Sequence, residues 1–230
     1  MNTLQAVEQM SMIPRRGPGR PKQSEEVNLA RKEEILKAAT ELFARQGYRN
    51  ADLQVVADEL GIGKGTIYRA FPTKQELFFA AVDRGLQRLR DHIAVKAIGE
   101  SDLVRRIYIV ISEYLGFFDE NEALIELFLL ERSEFRDREK STYFQHRDRN
   151  IGEWKRMLKE LVEAGRLRSV SVDAISDAMT DMLYGAVFTQ YFAREKRTLK
   201  SRTDEIVDIF FNGVLSDSEK DKANVISLSA

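Results

Sequence analysis

Cysteine is missing from this chain altogether, and with it go disulfide frameworks, thiolate catalysis and cysteine-held zinc. Only two histidines occur, His92 and His146, too far apart in sequence to suggest a histidine-rich metal site. Neither a metal nor a cofactor is expected. No apolar run approaches the ~20 residues that a membrane-spanning helix needs. The opening MNTLQAVEQMSMIP lacks the apolar heart of an export signal. The expectation is a cytoplasmic protein with no membrane partner. No pairing of carboxylates, and no nucleophile beside a base, stands out along the chain, so no enzyme is expected. Proline is scarce as well. Three of the four, Pro14, Pro18 and Pro21, lie near the start, and none follows Pro72.

Neither sign of charge dominates. The 230 residues carry 36 Lys and Arg against 37 Asp and Glu, a formal net charge of −1. The distribution is uneven: residues 1–74 hold 12 cations against 9 acids, and RRGPGRPK (15–22) holds four cations and no acid. A near-neutral chain with a basic first third points to a polyanion met by that third alone.

What is present is helical periodicity. Apolar positions spaced for helices predict segments over about Leu29–Gln46, Leu53–Leu60, Lys64–Ala70 and Thr73–Ala97. Five more follow over roughly Asp102–Phe118, Glu120–Glu134, Arg138–Ala164, Val172–Ala193 and Thr203–Leu215. Gly47 is placed to end the first, and Thr73 with Glu76 has the spacing of a capping box. Residues 1–28 read as a flexible basic arm, 29–74 as a three-helix unit, 75–216 as a larger helical domain and 217–230 as a polar tail.

The stretch VADELGIGKGTIYRAF (56–71) carries glycines at 61, 63 and 65 around Lys64. A phosphate-binding loop would need a buried strand before it and the order Gly-Lys-Ser/Thr, but Gly65 separates Lys64 from Thr66 and LQVVADEL has helical spacing. A helix-turn-helix accounts for more residues. Ala57 is small where two helices would cross. Gly61 can take the left-handed conformation that stops the first, and Gly63 can cap the second. Val56, Leu60, Ile62 and Ile67 face inward. Gly65, Thr66, Tyr68 and Arg69 remain for a duplex, with Gln54 a further candidate on the first helix.

ARKEEILKAATELFARQGYRNADLQVVADELGIGKGTIYRAFPTKQELFFAAV resembles the N-terminal domain of TetR/AcrR-family transcriptional regulators over about residues 31–82. The shared landmarks are Ile35, Ala38, Ala39, Leu42, Phe43, Gly47, Tyr48, Val56, Ala57, Gly61, Ile62, Lys64, Gly65, Thr66, Tyr68, Phe71, Lys74 and Leu77. The resemblance implies an all-α protein: a helix-turn-helix head and a larger C-terminal domain for ligand binding and dimerisation. It also implies a homodimer that represses from a palindromic operator and is released by a small molecule. The alternative is a DNA-binding regulator controlled by a protein partner or by no ligand. By resemblance Lys64, Thr66, Tyr68 and Lys74 match positions that meet phosphate or bases. Ala51, Gly63 and Ala70 depart from the pattern, and Asp52 stands ready to cap where Ala51 cannot.

Arg15, Arg16, Arg20 and Lys22 flank a Gly-Arg-Pro resembling an AT-hook. They could enter a minor groove or simply add nonspecific attraction. An effector cavity in the second domain is implied by the resemblance. Phe117, Phe128, Trp154, Met157, Tyr184 and Phe188 are its candidate walls, suited to an apolar or aromatic ligand. His146, beside Arg147 and Arg149, reads as a surface residue. The two last helices are apolar on more than one face, which asks for a second partner. Met179, Leu183, Ala186, Val187, Phe210 and Val214 are the candidate dimer contacts.

Overall fold

The computed structural model describes residues 25–193 and 197–213. They form nine α-helices and no strand: α1 (Glu25–Asn50), α2 (Leu53–Glu59), α3 (Lys64–Ala70), α4 (Lys74–Ala97), α5 (Leu103–Glu120), α6 (Glu122–Glu134), α7 (Thr142–Glu163), α8 (Val172–Phe192) and α9 (Leu199–Asn212). The all-α expectation holds, with an N-terminal helical head and a larger helical body. None of the described helices is long and apolar enough to cross a membrane.

The head is α1 to α3 with the start of α4. Ile35, Ala39, Leu42 and Phe43 form the inner stripe of α1, all fully buried. They meet Val56, Ala57, Ile67, Leu77 and Phe78, each fully buried too. α1 begins four residues earlier than the periodicity suggested, and it is broken at Gly47, where φ is 74° and ψ 165°. Thr73 Oγ1 accepts from Glu76 N at 3.0 Å and so starts α4.

α4 runs from the head into the body. There it packs on α5, α6 and α7, and α6 also packs on α1. Gly85 marks the α4–α6 crossing. A Cβ added there would lie 2.5 Å from Leu124 Cδ1 and 3.3 Å from its Cγ. Gly85→Ala is therefore expected to destabilise by about 1–3 kcal/mol through overpacking, although alanine is the better helix former by about 1 kcal/mol. Urea unfolding measures this; a gain in stability would show that Leu124 has room to turn.

α7 starts at Thr142, four residues later than the periodicity suggested, for a reason that lies outside the segment. The Oε1 of Glu131, on α6, accepts from Thr142 N (2.8 Å), Thr142 Oγ1 (2.9 Å) and Arg138 Nη1 (2.5 Å). A carboxylate from another helix thus takes the first unpaired N–H of α7. α9 likewise starts early, because Thr198 Oγ1 accepts from Ser201 N at 3.3 Å. Thr203, placed by periodicity at its start, is fully buried inside it.

Head and body share one apolar core. Phe135, after α6, touches Tyr48, Phe78 and Phe79 at ring separations of 4.9, 5.4 and 4.7 Å. Arg49 Nε donates to Glu134 Oε2 at 2.7 Å beside them.

Candidate nucleic-acid interface

The geometry of the glycine stretch follows from its hydrogen bonds. Gly61 has φ 61°. Its N–H donates to Asp58 O at 3.2 Å, and Ile62 N donates to Ala57 O at 2.9 Å. These two bonds make a Schellman ending for α2, which requires a left-handed residue after the cap. Gly63 then caps α3 in extended conformation with no side-chain bond. Ala57 and Val56 are fully buried beneath the crossing, and Ile67 is the buried residue of α3. With Ile67 turned inward, the opposite side of α3 is exposed. Tyr68 is 40 % accessible, Arg69 and Gly65 are exposed, and Thr66 is half-buried. A Cβ at Gly65 would meet nothing within 4 Å.

The flanking polar groups are held from behind. Asp52 caps α2, its Oδ1 accepting from Gln54 N at 2.9 Å, and the same oxygen is 2.7 Å from Lys64 Nζ. The hydrogen bond holds Lys64 above the usual lysine range and Asp52 below the usual carboxylate range. Gln54 Nε2 donates to Asp58 Oδ1 at 2.7 Å. Lys74 Nζ donates to Arg49 O at 3.0 Å and sits 5.1 Å from the Tyr48 ring, and burial pulls its pKa down. Asp52 feels the charge of both Lys64 and Lys74. Gln54, Lys64, Gly65, Thr66, Tyr68, Arg69 and Lys74 therefore all fall on α2, α3 and the adjoining start of α4. Arg15, Arg16, Arg20 and Lys22 lie outside the described residues.

The body separates the six residues expected to line a cavity. Trp154 and Met157 border a cavity of about 340 Å³ between α4, α5 and α7. Phe117 borders a different cleft of about 510 Å³, between α1, α4 and the α5–α6 turn. Phe128, Tyr184 and Phe188 belong to a run of packed rings, Phe118–Phe128–Tyr143–Tyr184–Phe188, with separations of 5.9, 5.5, 5.0 and 4.7 Å. They pack against one another because four helices, α5 to α8, deliver rings to the same layer. Tyr114 and Tyr143 also line the α4–α5–α7 cavity, with hydroxyls 2.8 Å apart. Burial raises both pKa values, Tyr114 the more strongly, so both stay neutral.

His146 is no surface residue: it is 7 % exposed, and Nε2 lies 2.6 Å from Asp83 Oδ1. It lines the same cavity. The sequence held the signal, since Tyr143, His146, Asn150, Trp154 and Met157 follow helical spacing along one side of α7.

The dimer candidates need correction. Met179, Leu183, Ala186 and Val187 are 1 %, 8 %, 8 % and 5 % exposed within one subunit. α8 packs that stripe on α5, α6 and α7, so these side chains are spent on the chain's own core. Phe210 is half-buried, 5.3 Å from the Phe211 ring, and Val214 lies outside the described residues. The apolar groups left outward on α8 and α9 are Phe192 (64 %) and Ile209 (47 %), with Met182 and Ile206 half-buried.

A helix-turn-helix with an exposed second helix, carried on a larger helical body, is the architecture of a DNA-binding transcriptional regulator. Residues 35–81 match the family described as bacterial regulatory proteins, tetR family, and the chain is a TetR/AcrR-family regulator. Among curated proteins it is 24 % identical over 208 residues to the uncharacterized HTH-type transcriptional regulator YfiR of Bacillus subtilis, covering 87 % of this chain and 99 % of that one. It is 23 % identical over 188 residues to the fatty acid metabolism regulator protein of the same species, covering 79 % and 94 %. Of solved structures, the Bacillus subtilis regulator FadR in complex with stearoyl-CoA superposes with a TM-score of 0.66 at 16 % identity, over 80 % of this chain and 99 % of that one. The fatty acid degradation regulator FadR of Bacillus halodurans gives 0.66 at 17 %, over 80 % and 99 %. These likenesses show a shared fold.

Proposed function

We propose that this protein is a dimeric repressor that sets α3 into the major groove of a palindromic operator and is released by an apolar ligand with an anionic head. The exposed side of α3 carries the DNA half of the reading. Thr66, Tyr68 and Arg69 reach the duplex, Gly65 lets the backbone come close, and Lys64, Lys74 and Gln54 meet phosphates at the edge. Twofold symmetry supplies two heads, paired through the outward groups of α8 and α9. The arginines and lysine of residues 15–22 add charge contacts.

The cavity between α4, α5 and α7 carries the ligand half. Its volume falls in the range of small-molecule sites, roughly 300–1,000 Å³. Leu86, Leu89, Ile93 and Val110 make its wall apolar, while Arg90, Arg106 and Arg147 face a single acid, Glu153, among the lining residues. A hydrocarbon chain with a carboxylate, or with a phosphate-bearing thioester carrier, suits that division. The relatives named for fatty acid regulation and the stearoyl-CoA complex support the same class. A space of this size also favours a ligand over control by a protein partner alone. α4 joins the cavity to the head, so a ligand that prefers one setting of α4 shifts DNA affinity.

The chain's single tryptophan, Trp154, lines the cavity and reports on it. Titration with a long-chain acyl-CoA is expected to change its emission saturably, to stabilise the fold by about 2.7 kcal/mol at a hundredfold excess over Kd, and to release operator DNA. Coenzyme A alone should do none of this. Flat emission with an unmoved melting temperature, for the thioester and for the free fatty acid alike, would overturn the ligand half.

A further inference from the structure

The Lys64–Asp52 pair sits on the surface assigned above to DNA, and its acid is unexpected there. Capping α2 does not need a charge. Ser, Thr or Asn would accept from Gln54 N as well as Asp does. Nor does the pair do much for stability, because Asp52 is 61 % and Lys64 38 % exposed at the side chain, and such pairs contribute little. Yet a carboxylate facing a polyanion opposes binding. Its Oδ1, 2.7 Å from Lys64 Nζ, occupies a place on that ammonium that a DNA phosphate would claim. The neighbouring Gln54 is held in the same manner by Asp58 at 2.7 Å.

We infer that Asp52 is an affinity-moderating residue: it competes internally with the DNA backbone for Lys64 and gives the lysine up only when α3 is fully seated on an operator, so that seating must first break the pair. A loosely docked, random duplex offers no seated helix to offset the lost pair. It therefore meets a surface with one cation engaged and one acid exposed. The operator complex seats α3, and the lysine exchanges carboxylate for phosphate. Asp52 thus weakens operator binding more than random binding, because only the operator complex breaks the pair, and it keeps the affinity of the seated state down. This inference rests on the DNA-binding reading above.

The test compares wild type, Asp52→Asn, Lys64→Met and the double variant. Each is measured by fluorescence anisotropy against a selected operator and a random duplex of equal length, at several salt concentrations. Asparagine keeps the cap, which an unchanged melting temperature verifies; Asp52→Ser, with a hydroxyl cap, replaces it if the first variant is unstable. Asp52→Asn is expected to tighten operator binding about fivefold and random-duplex binding about twofold. It should also steepen the random-duplex salt slope by about one. On the Lys64→Met background the two duplexes should gain equally, by the removal of one acid charge alone. An unchanged operator affinity, an equal gain on both duplexes with the lysine present, or the same inequality without the lysine would each overturn the inference while leaving the DNA-binding reading intact. A wild type with no preference for any duplex would remove both.

Discussion

Phe78→Ala is expected to cost about 3–5 kcal/mol of folding stability, enough to leave the head partly unfolded at 37 °C. The side chain is fully buried. Its ring meets Phe43 at 5.2 Å, Tyr48 at 5.4 Å, Phe79 at 5.7 Å and Phe135 at 5.4 Å. Phe43 and Tyr48 belong to α1, while Phe135 comes from the end of α6, so truncation opens the core where head and body join. Urea unfolding should show a lower midpoint, and a separate early phase for the head would show that the joint is lost before the body. Phe78→Leu fills most of the space and should recover more than half of the loss. A midpoint within the error of wild type for Phe78→Ala would mean that head and body do not depend on this ring.

The double variant Thr66→Ala/Tyr68→Ala is expected to lower operator affinity about a hundredfold, taking each lost contact as roughly 1–3 kcal/mol. Tyr68 is 40 % exposed, and Ile67, which anchors α3, is untouched. The melting temperature should therefore move little, and the weakening should be read in anisotropy titrations at fixed salt. Random-duplex binding should fall much less, because charge contacts from Arg69 and Lys74 remain. Equal affinity for wild type and double variant would move recognition away from α3.

The head was legible because its constraints are local. Gly61 needs a left-handed conformation and Asp52 needs only the N–H two residues on, and both are found as expected. Ala57 and Ile67 were placed by spacing alone. The body was legible as helices but not as a site. Periodicity told that α8 is apolar on more than one side without telling which neighbours take those sides, and α5, α6 and α7 took the stripe of Met179, Leu183, Ala186 and Val187. Aromatic residues gave the same difficulty. Phe128 and Trp154 look alike in sequence, but one packs on Phe118 and the other borders a cavity, because α7 meets the earlier pair α4 and α5 there. The start of α7 depended on Glu131, eleven residues upstream, and helix-capping rules look only a few residues away. The glycine-flanked place of Lys64 is legible in the sequence, whereas its engagement by Asp52, twelve residues away, depends on how α2 and α3 come together.

Selection of bound duplexes from a random library by the purified protein tests the central claim most directly. The account predicts one enriched palindrome whose half-sites are centred about one or more 10-bp turns apart, lost when Thr66 and Tyr68 are both alanine. Recovered sequences no different from the input library would contradict it.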